Sequence, residues 1–440
     1  MSRYQAYEKY KDSGVEWLGE IPEHWNISRI KFIGNIKYGL GEPPEKLEDG
    51  LPIIRATDIY RGIIDGSKVQ KVNPDKVPWS RKPELKSGDI LVVRSGAYTG
   101  DSAIVTDEWA GAIAGYDMVI TPTNSHPKYI AWNLLGKHIL EGQLYLAKSR
   151  AAQPHLNAEE LGNTILSLPL QNEQEQIANF LDHKTKQIDD LIAKKEALLA
   201  KLDEKRTAII SHAVTKGLDP TVPMKDSGIN WLGNIPKHWE VKRLKNIASC
   251  NDEALGENTA NDYEIEYVDI SSVNLVSGIT QYENMIFEKA PSRARRRVKD
   301  GDTIISTVRT YLKAIASIKD PPNNLIVSTG FAVIRPKNNI NSAYIGYLLQ
   351  SEGFIGQIVS YSSGVSYPAI NASILISLPV VEPSQDEQKA IAKYLDKKTV
   401  EIDLQKAKVQ EAIERLKEYR TALITNAVTG KIDVRQVPLN

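Results

Sequence analysis

The segment KDSGVEWLGEIPEHW at Lys11–Trp25 recurs as KDSGINWLGNIPKHW at Lys225–Trp239, an offset of 214 residues. A second segment, RTAIISHAVT at Arg206–Thr215, recurs with the same offset as RTALITNAVT at Arg420–Thr429. Solenoid repeats have periods of about 20–50 residues, so this period indicates a tandem duplication of a whole domain. The ends of the copies match closely and their middles differ. Divergence after any duplication would produce this contrast, but it favours one shared scaffold role and two different recognition roles.

Each copy begins with a head in which short β-rich runs alternate with loops. Asp89–Val93 in the first copy and Asp302–Ser306 in the second combine β-branched or apolar residues with neighbouring Gly and Asp, as strands do. Helical stretches follow at Tyr129–Leu140 and Tyr344–Gln350. The pattern predicts an α+β protein with two tandem α/β domains.

A long helix is predicted at the end of each copy. From Glu173 to Val214 the chain has no Pro or Gly, and apolar residues recur every seven positions in both copies. Such heptads indicate a coiled coil, with Asn172 as the expected N-cap and Gly217 as the C′ residue. A single amphipathic helix lying on its own domain is the alternative, but neither helix has a wide apolar face, so we predict that they pair with each other. The predicted seam residues are Ile177, Leu181, Ile188, Leu191, Leu198, Leu202, Ile209, Ile391, Leu395, Ile402, Val409, Leu416 and Leu423.

The connectivity sets the direction of this pairing. The first helix leads from head one to head two, so a second helix that pairs with it must run back antiparallel. The expected result is a pseudo-twofold molecule with two heads on a helical spacer, which suits a long twofold ligand such as duplex DNA. The predicted boundaries are 1–167 for head one, 168–217 for the first spacer helix, 218–377 for head two, and 378–440 for the second helix and tail.

Charge must be examined locally, because 55 Lys and Arg residues balance 55 Asp and Glu residues. Between Lys289 and Lys313, eight basic residues are opposed in the sequence only by Asp300 and Asp302. A basic run is usually a solvated surface, but this one falls inside a divergent head and suits phosphate and guanine contacts. The residues predicted to contact nucleic acid are Arg55, Arg94, Tyr98, Arg150, Gln153, His155, Arg293, Arg295, Arg296, Arg297, Arg309, Tyr311, Lys313, Ser363 and Tyr367.

The sequence offers no convincing catalytic or metal site. It has no Walker-type phosphate loop and no paired His or Cys spacing for a metal. Asp75 and Glu84 imitate a nuclease carboxylate pair, but the second copy has Arg297 in place of Glu84. The run ending in Asn323 imitates an aminomethyltransferase motif, but lacks the aromatic residue that would stack the flipped base. We therefore expect no catalytic residue and no metal ligand.

The cellular setting follows from two further features. Cys250 is the single cysteine, so no internal disulfide can form, and a reducing cytoplasm is expected. The apolar stretch at Ile374–Val381 is too short to span a bilayer, which needs about 20 apolar residues. We expect a cytoplasmic protein with no membrane contact.

The signatures together resemble the specificity subunit of type I restriction–modification systems, over essentially the whole chain. They are the paired KDSGxxWLGxIPxHW segments, the Gly-Asp-apolar strand in each head, the loops at Gln153–Asn157 and Tyr367–Asn371, and the LP…EQ…IAxxLD…RTAxIxxAVTG helices.

This resemblance implies a function that depends on partners. Two target-recognition domains would each read one half of a bipartite, asymmetric site in double-stranded DNA. The paired helices would set the gap between the half-sites and dock two methyltransferase subunits, and motor-nuclease (restriction) subunits would complete the complex. S-adenosylmethionine, ATP and Mg²⁺ would belong to the partners and none to this chain. A coiled-coil scaffold whose two heads bind proteins stays open as the alternative.

Overall fold

The computed structural model describes residues 4–144 and 155–438. The chain divides into two compact units, of which unit 1 comprises Met1–Glu196 and Glu411–Asn440 and unit 2 comprises Ala197–Gln410. Each unit therefore contains one head and a part of each long helix. In the described ranges, no helix combines the length and the apolar character that a membrane crossing requires.

The head of unit 1 is built from short strands. They are β1 (Tyr10–Asp12), β2 (Glu20–Pro22), β3 (Asn26–Arg29), β4 (Gly34–Tyr38), β5 (Lys46–Ile54), β6 (Ile59–Tyr60), β7 (Ile63–Ile64), β8 (Gln70–Val72), β9 (Ile90–Val92), β10 (Ser102–Ile104), β11 (Ile113–Ala114), β12 (Met118–Pro122) and β13 (Ile165–Leu168). An antiparallel sheet has the order β10-β9-β12-β4, and a second sheet has the order β11-β5-β8. The predicted strand at Asp89–Val93 corresponds to β9.

The head of unit 2 repeats this plan. Its strands are β14 (Met224–Asp226), β15 (Asn234–Pro236), β16 (Glu240–Arg243), β17 (Ala248–Cys250), β18 (Glu264–Val268), β19 (Val273–Asn274), β20 (Gly278–Ile279), β21 (Glu283–Ile286), β22 (Ala294–Arg297), β23 (Thr303–Ser306), β24 (Ile315–Ser317), β25 (Leu325–Ser328), β26 (Phe331–Pro336) and β27 (Pro379–Glu382). The antiparallel sheet β17-β26-β23-β24 is the counterpart of β4-β12-β9-β10, and β21-β18-β25-β22 forms the second sheet.

The α-helices of both units complete the predicted α+β architecture. They are α1 (Ile30–Ile33), α2 (Pro127–Leu134), α3 (Lys137–Ile139), α4 (Ala158–Asn163), α5 (Gln171–Lys216), α6 (Leu244–Ile247), α7 (Ser342–Leu349), α8 (Glu352–Ser360), α9 (Ala372–Leu375) and α10 (Gln385–Val428). The predicted helix at Tyr129–Leu140 is divided between α2 and α3 by Gly136, which adopts an extended conformation between them.

The core of each unit combines its head with the ends of the long helices. In unit 1, Trp25 and Tyr129 of the head pack in one cluster with Leu181 of α5 and Val428 of α10. In unit 2, the equivalent cluster contains Trp239 and Tyr344 with helix residues 214 and 395. Burial of such side chains contributes about 1.5–3 kcal/mol each, so the helix ends are integral to the heads.

The repeated tryptophan segment is explained by a contact with the start of each long helix. His24 Nε2 lies 2.8 Å from a carboxylate oxygen of Glu173, and His238 Nε2 lies 2.8 Å from one of Glu387. The Trp239 indole also donates to Glu387 at 3.1 Å. These histidines therefore have a structural role, because each joins the tryptophan segment to the start of a long helix.

The glutamine after each of these glutamates ties the helix to the head backbone. The side-chain oxygen of Gln174 accepts a hydrogen bond from the His126 N–H at 2.8 Å, and its amide nitrogen donates to the Pro169 carbonyl at 2.9 Å. Gln388 accepts in the same way from the Asn341 N–H at 2.8 Å. Both glutamines are buried, and each accepts one hydrogen bond and donates another to the head backbone, which explains why the Glu-Gln pair recurs.

Both long helices were predicted correctly, but one end was misplaced. The first begins at Gln171, so Asn172 lies inside the helix and is not its N-cap. The N–H groups of Glu173 and Gln174 donate to the carbonyl of Leu170 instead, at 2.9 Å each. At the other end Gly217 has φ +79°, as expected for a C′ glycine.

The two long helices pair antiparallel, as predicted. In unit 2, Asp203 of α5 contacts Lys406 of α10, and Arg206, one turn further along α5, contacts Asp403. Contacts therefore move backwards along α10 as they move forwards along α5. In unit 1, Asp189 of α5 forms an ion pair with Arg420 of α10.

Most of the predicted seam is removed from solvent. The buried members are Ile177, Leu181, Ile188, Leu202, Ile391, Leu395, Ile402 and Leu423, and the half-buried members are Ile209, Val409 and Leu416. Two predictions are wrong, because Leu191 and Leu198 are 43% and 42% exposed.

The error in the seam has a physical cause. Ile177 packs in the core of the unit 1 head, so counting sevens from it runs one residue out of register. The inward positions are instead Thr185, Ile192 and Leu199. Thr185 is buried, and its hydroxyl donates to the Leu181 carbonyl at 2.6 Å, so a polar residue occupies the seam at no hydrogen-bonding cost.

Candidate nucleic-acid interface

A turn after the central strand of each head is held in the same backbone frame. In unit 1 it follows β9, where Ser95 forms a β-bridge with His155. In unit 2 it follows β23, where Val308 forms the equivalent bridge with Ala369. Backbone N–H groups of residues 156 and 370 donate to the carbonyls of residues 94 and 307, at 2.8 and 2.9 Å. The duplication thus preserves this turn and the segment bridged to it, which together we call the platform. The side chains on the two platforms differ.

Arg94 is the most highly organised predicted contact residue of unit 1. Its guanidinium carbon lies 4.6 Å from the ring centre of Tyr38 and 4.3 Å from that of Tyr116. One terminal nitrogen is 3.2 Å from His155 Nε2, and the backbone N–H donates to Asp117 at 3.2 Å. Two aromatic faces and an imidazole therefore hold the cation in one orientation.

Asp117 supplies a negative charge beneath this arginine. Its side chain is 1% exposed, and burial raises the pKa of the carboxyl to about 6. Backbone hydrogen bonds and the charge of Arg94 act in the opposite direction, because they stabilise the carboxylate. The hydrogen bond from the Arg94 N–H therefore anchors the backbone of the turn to Asp117.

The other predictions in unit 1 have different outcomes. Tyr98 is 52% exposed on the turn. Arg55 is half-buried and donates through Nε and Nη2 to the fully buried Asp58, at 3.1 and 3.0 Å, so its side chain stabilises its own domain. Arg150 and Gln153 lie outside the described residues.

The corresponding turn of unit 2 presents basic and aromatic groups together. Arg309 and Lys313 both adopt left-handed conformations, with φ of +50° and +51°. The Arg309 guanidinium lies 4.9 Å from the ring centre of Tyr367, and Tyr311 and Tyr367 are 54% and 64% exposed. Ser363 is exposed beside them. Stacking surfaces and cations are thus both exposed on this turn and on the segment bridged to it.

The arginines of β22 are less available than the sequence suggested. Arg295, Arg296 and Arg297 are all half-buried. The guanidinium of Arg295 packs over the ring of Phe287 at 4.5 Å, and that of Arg297 lies 5.8 Å from the ring of Tyr263. These side chains cover the second sheet of their own head.

The basic run of unit 2 is also partly neutralised by acids from other strands. Arg293 pairs with Asp269 at 2.9 Å, and Lys299 forms an ion pair with Glu253. The expectation that only Asp300 and Asp302 oppose the run is therefore wrong, because neighbours in space come from distant parts of the chain. Two of the eight cations of the run are therefore paired with acids of the same head.

Several exposed or stacking residues of these platforms were not predicted from the sequence. Tyr38 and Tyr116 enclose Arg94, although neither lies near it in the sequence. In unit 2, Tyr361 and Val365 are 59% and 103% exposed on the segment that faces the turn. A Tyr-rich, carboxylate-free run beside Tyr367 was the available signal. Among the described residues, no group of three or more His, Cys, Asp or Glu side chains could hold a metal ion.

Comparisons with known proteins agree with this organisation. The MjaVIII type I restriction enzyme specificity subunit of Methanocaldococcus jannaschii is 25% identical over 435 residues, covering 95% of each chain. The putative MjaX specificity subunit from the same organism is 27% identical over 433 residues, covering 95% of this chain and 96% of its own. A chain from a structural study of complex assembly in the type I R-M system superposes with a TM-score of 0.70. It covers 93% of this chain and 98% of its own, at 16% identity, and so supports the fold.

The duplicated halves both match one family. The type I restriction modification DNA specificity domain matches residues 22–201 and again residues 236–415. Each match includes a head and most of its long helix, in agreement with the repeat. The chain therefore belongs to the type I restriction–modification DNA specificity family and carries its domain twice.

Proposed function

We propose that this chain is the DNA-recognition subunit of a type I restriction–modification complex, in which each head reads one half of a bipartite, asymmetric site. The supporting observation is that the two heads share a backbone frame but differ in side chains at equivalent positions. Arg94 of unit 1 corresponds to Thr307 of unit 2, and His155 corresponds to Ala369. One frame with two sets of hydrogen-bonding groups suits two different half-sites.

The chemistry of each platform fits base or phosphate contact. The stacked Arg94 loses little freedom on binding, and a planar guanidinium can donate two hydrogen bonds to a guanine edge. Arg309 and Lys313 provide cations beside the exposed rings of Tyr311 and Tyr367. These groups suit phosphates and unstacked bases.

The long helices would have two tasks. Part of each helix belongs to each unit, so their length would set the gap between the half-sites. Their similar sequences would present equivalent surfaces to two methyltransferase subunits, and restriction subunits would join that complex. Catalysis would be left to these partners, which would bind S-adenosylmethionine, ATP and Mg²⁺.

A cytoplasmic location is part of the same proposal. Double-stranded DNA and the partner subunits would be met in that compartment. The lone Cys250 is free and half-buried, and burial raises the pKa of its thiol to about 11, so it would stay protonated and unreactive in a reducing environment.

The test is to map methylated sites in a host that carries the chain with its methyltransferase subunits. Arg94→Ala and Arg309→Ala are compared with the unaltered chain. Each substitution should cost about 1–3 kcal/mol at one base position if it removes a base contact. We expect Arg94→Ala to relax one half of the motif and Arg309→Ala the other.

The control is Lys68→Ala, which removes an exposed cation that belongs to neither turn and should leave the motif unchanged. Loss of both halves in either variant would contradict separate reading by the heads. Absence of any bipartite motif in the unaltered system would favour the protein-binding scaffold instead.

A further inference from the structure

One loop of unit 2 exposes three apolar or aromatic side chains to solvent. Val365 lies at the tip of the loop and is fully exposed, and Tyr361 and Tyr367 on either side of it are 59% and 64% exposed. We call these three residues the apolar tip. Grouped exposed apolar side chains usually mark a surface that contacts a partner.

The loop that carries the apolar tip is held at its base. Ser363 and Ala369 exchange two backbone hydrogen bonds of 2.9 Å, and the Ile370 N–H donates to the carbonyl of Thr307 at 2.9 Å. Gly364 has φ +112°, a conformation that side-chain-bearing residues rarely adopt. Folding has therefore already met the ordering cost of presenting Val365, which favours binding by a preformed tip.

The charges around the tip indicate the class of partner. The tip contacts the turn that carries Arg309 and Lys313, through the Arg309–Tyr367 stack and a 2.8 Å bond between Thr310 and Ser362. Residues 306–314 and 361–370 contain no Asp or Glu. An apolar point flanked by cations matches a duplex, which has phosphates outside and stacked apolar faces inside.

We propose that Val365 acts as a wedge that enters a groove of the bound duplex and partly separates one base step in the half-site read by head two. The inference rests on the proposed function, because it places the wedge in that half-site. Apolar wedges pay the unstacking cost in exchange for a bent duplex that contacts more protein. The flanking tyrosines would cover the opened base faces, and Lys313 would hold an adjacent phosphate.

The experiment uses the complex reconstituted with its methyltransferase subunits. A duplex containing the methylated motif is labelled at both ends, and its bending is followed by energy transfer. Permanganate reactivity of thymines reports unstacking along the same duplex. Val365→Ala removes the wedge, and Val276→Ala is the matched control, since Val276 is another exposed valine of the same head on the turn after β19.

The unaltered complex should bend the duplex by about 20–90° and make thymines at one step reactive. With Val365→Ala, most of the bend and of the thymine reactivity should disappear, and the complex should bind the duplex about tenfold more weakly. With Val276→Ala, the bend, the reactivity and the affinity should stay unchanged. Equal melting temperatures of the variants would exclude misfolding. Sequence-specific binding to a straight, unreactive duplex, or a bend that survives Val365→Ala, would overturn the wedge alone.

Two other outcomes would count against the proposal. If the unaltered complex showed no sequence preference, the proposed function would fail as well, which a competition titration with unrelated duplexes distinguishes. If Val365→Ala impaired assembly with the methyltransferase subunits but left bending by the assembled complex intact, the tip would be a protein contact.

Discussion

Arg206 and Asp403 form an ion pair between the long helices in which one guanidinium nitrogen lies 3.1 Å from both carboxylate oxygens. The same pairing recurs at the positions 214 residues away, where Arg420 donates to Asp189 at 2.9 and 3.2 Å. The arginines are only 12% and 19% exposed, so solvent screens these pairs less than ordinary surface pairs. The same type of Arg–Asp ion pair therefore links the two long helices in each unit and helps to fix their register.

Breaking either pair should destabilise the unit that contains it. We expect Asp403→Ala or Asp189→Ala to cost about 1 kcal/mol, since a half-buried arginine loses its partner. Calorimetric melting checks this, and the exchanged pair Arg206→Asp with Asp403→Arg should recover part of the loss. Glu411→Ala is the control, because it breaks a highly exposed pair with Arg415 and should leave melting unchanged.

The turn after the second long helix depends on a glycine. Gly430 has φ +71°, and a Cβ added there would lie 2.3 Å from Cδ of Pro22. Gly14 has a similar φ of +69° with nothing within 4 Å of the added carbon. Gly14→Ala should therefore cost about 1–2 kcal/mol from backbone strain alone, and Gly430→Ala about 1–3 kcal/mol more. Urea unfolding of both variants measures the difference, and equal losses would mean that Pro22 moves aside without cost.

The sequence was sufficient for the repeat and the long helices because both depend on local, periodic patterns. The register of the seam was not fully predictable. Thr185 looks polar in the sequence but is buried through a bond to the preceding turn, whereas Leu191 looks like a seam residue and points outwards. The packing of the head on the helix decides at which residue the row of inward-facing positions begins. Counting heptads in the sequence cannot reveal this packing.

The candidate site was predictable only in its residue types. Arg94 and Tyr98 were identified as groups that can contact DNA, but the Tyr38 and Tyr116 rings are brought to Arg94 by the pairing of β4 with β12. The acids that neutralise part of the basic run, such as Asp269, arrive through tertiary contacts. A linear count of charges cannot include these neighbours.

The buried Asp117 should give unit 1 a distinctive pH dependence. Its pKa is raised by burial to about 6, above the ordinary value of about 4, so the folded state holds this proton more tightly than the unfolded state. The resulting stabilisation is complete below about pH 4 and is lost as the pH rises through about 6, a total change of about 3 kcal/mol. The melting temperature of the protein relative to Asp117→Asn should therefore fall across this interval.

The control for this titration is Asp65→Asn in the same unit. Hydrogen bonds from Ser67 lower the pKa of Asp65, so its contribution has the opposite sign and is lost as the pH falls. The quantity compared is the melting temperature of the unaltered protein minus that of the variant. If this difference rose with pH for Asp117→Asn, as it should for Asp65→Asn, a raised pKa of Asp117 would be contradicted. Binding of the target duplex over the same interval would show whether the charge of Asp117 also orients Arg94.

Lengthening both long helices together should lengthen the gap between the half-sites. Seven residues inserted after Ala197 in α5, with seven more after Glu411 in α10, lengthen both helices by about 10 Å, or about three base-pair rises. A whole heptad keeps the inward stripe in phase. Because both insertions lie between the Asp189–Arg420 and Arg206–Asp403 pairs, each pair keeps its partner. We expect methylome mapping to show unchanged half-sites separated by about three more unspecified base pairs.

Insertion into one helix alone is the control for the role of helix length in setting this gap. It shifts one side of the antiparallel pair by two turns, so the two ion pairs cannot both form, and the melting temperature should fall. Since the doubly inserted chain keeps both pairs, its melting temperature should stay close to that of the unaltered protein. A stable double insertion with an unchanged gap would show that the helices do not set the spacing, and that each head finds its half-site through flexible attachment.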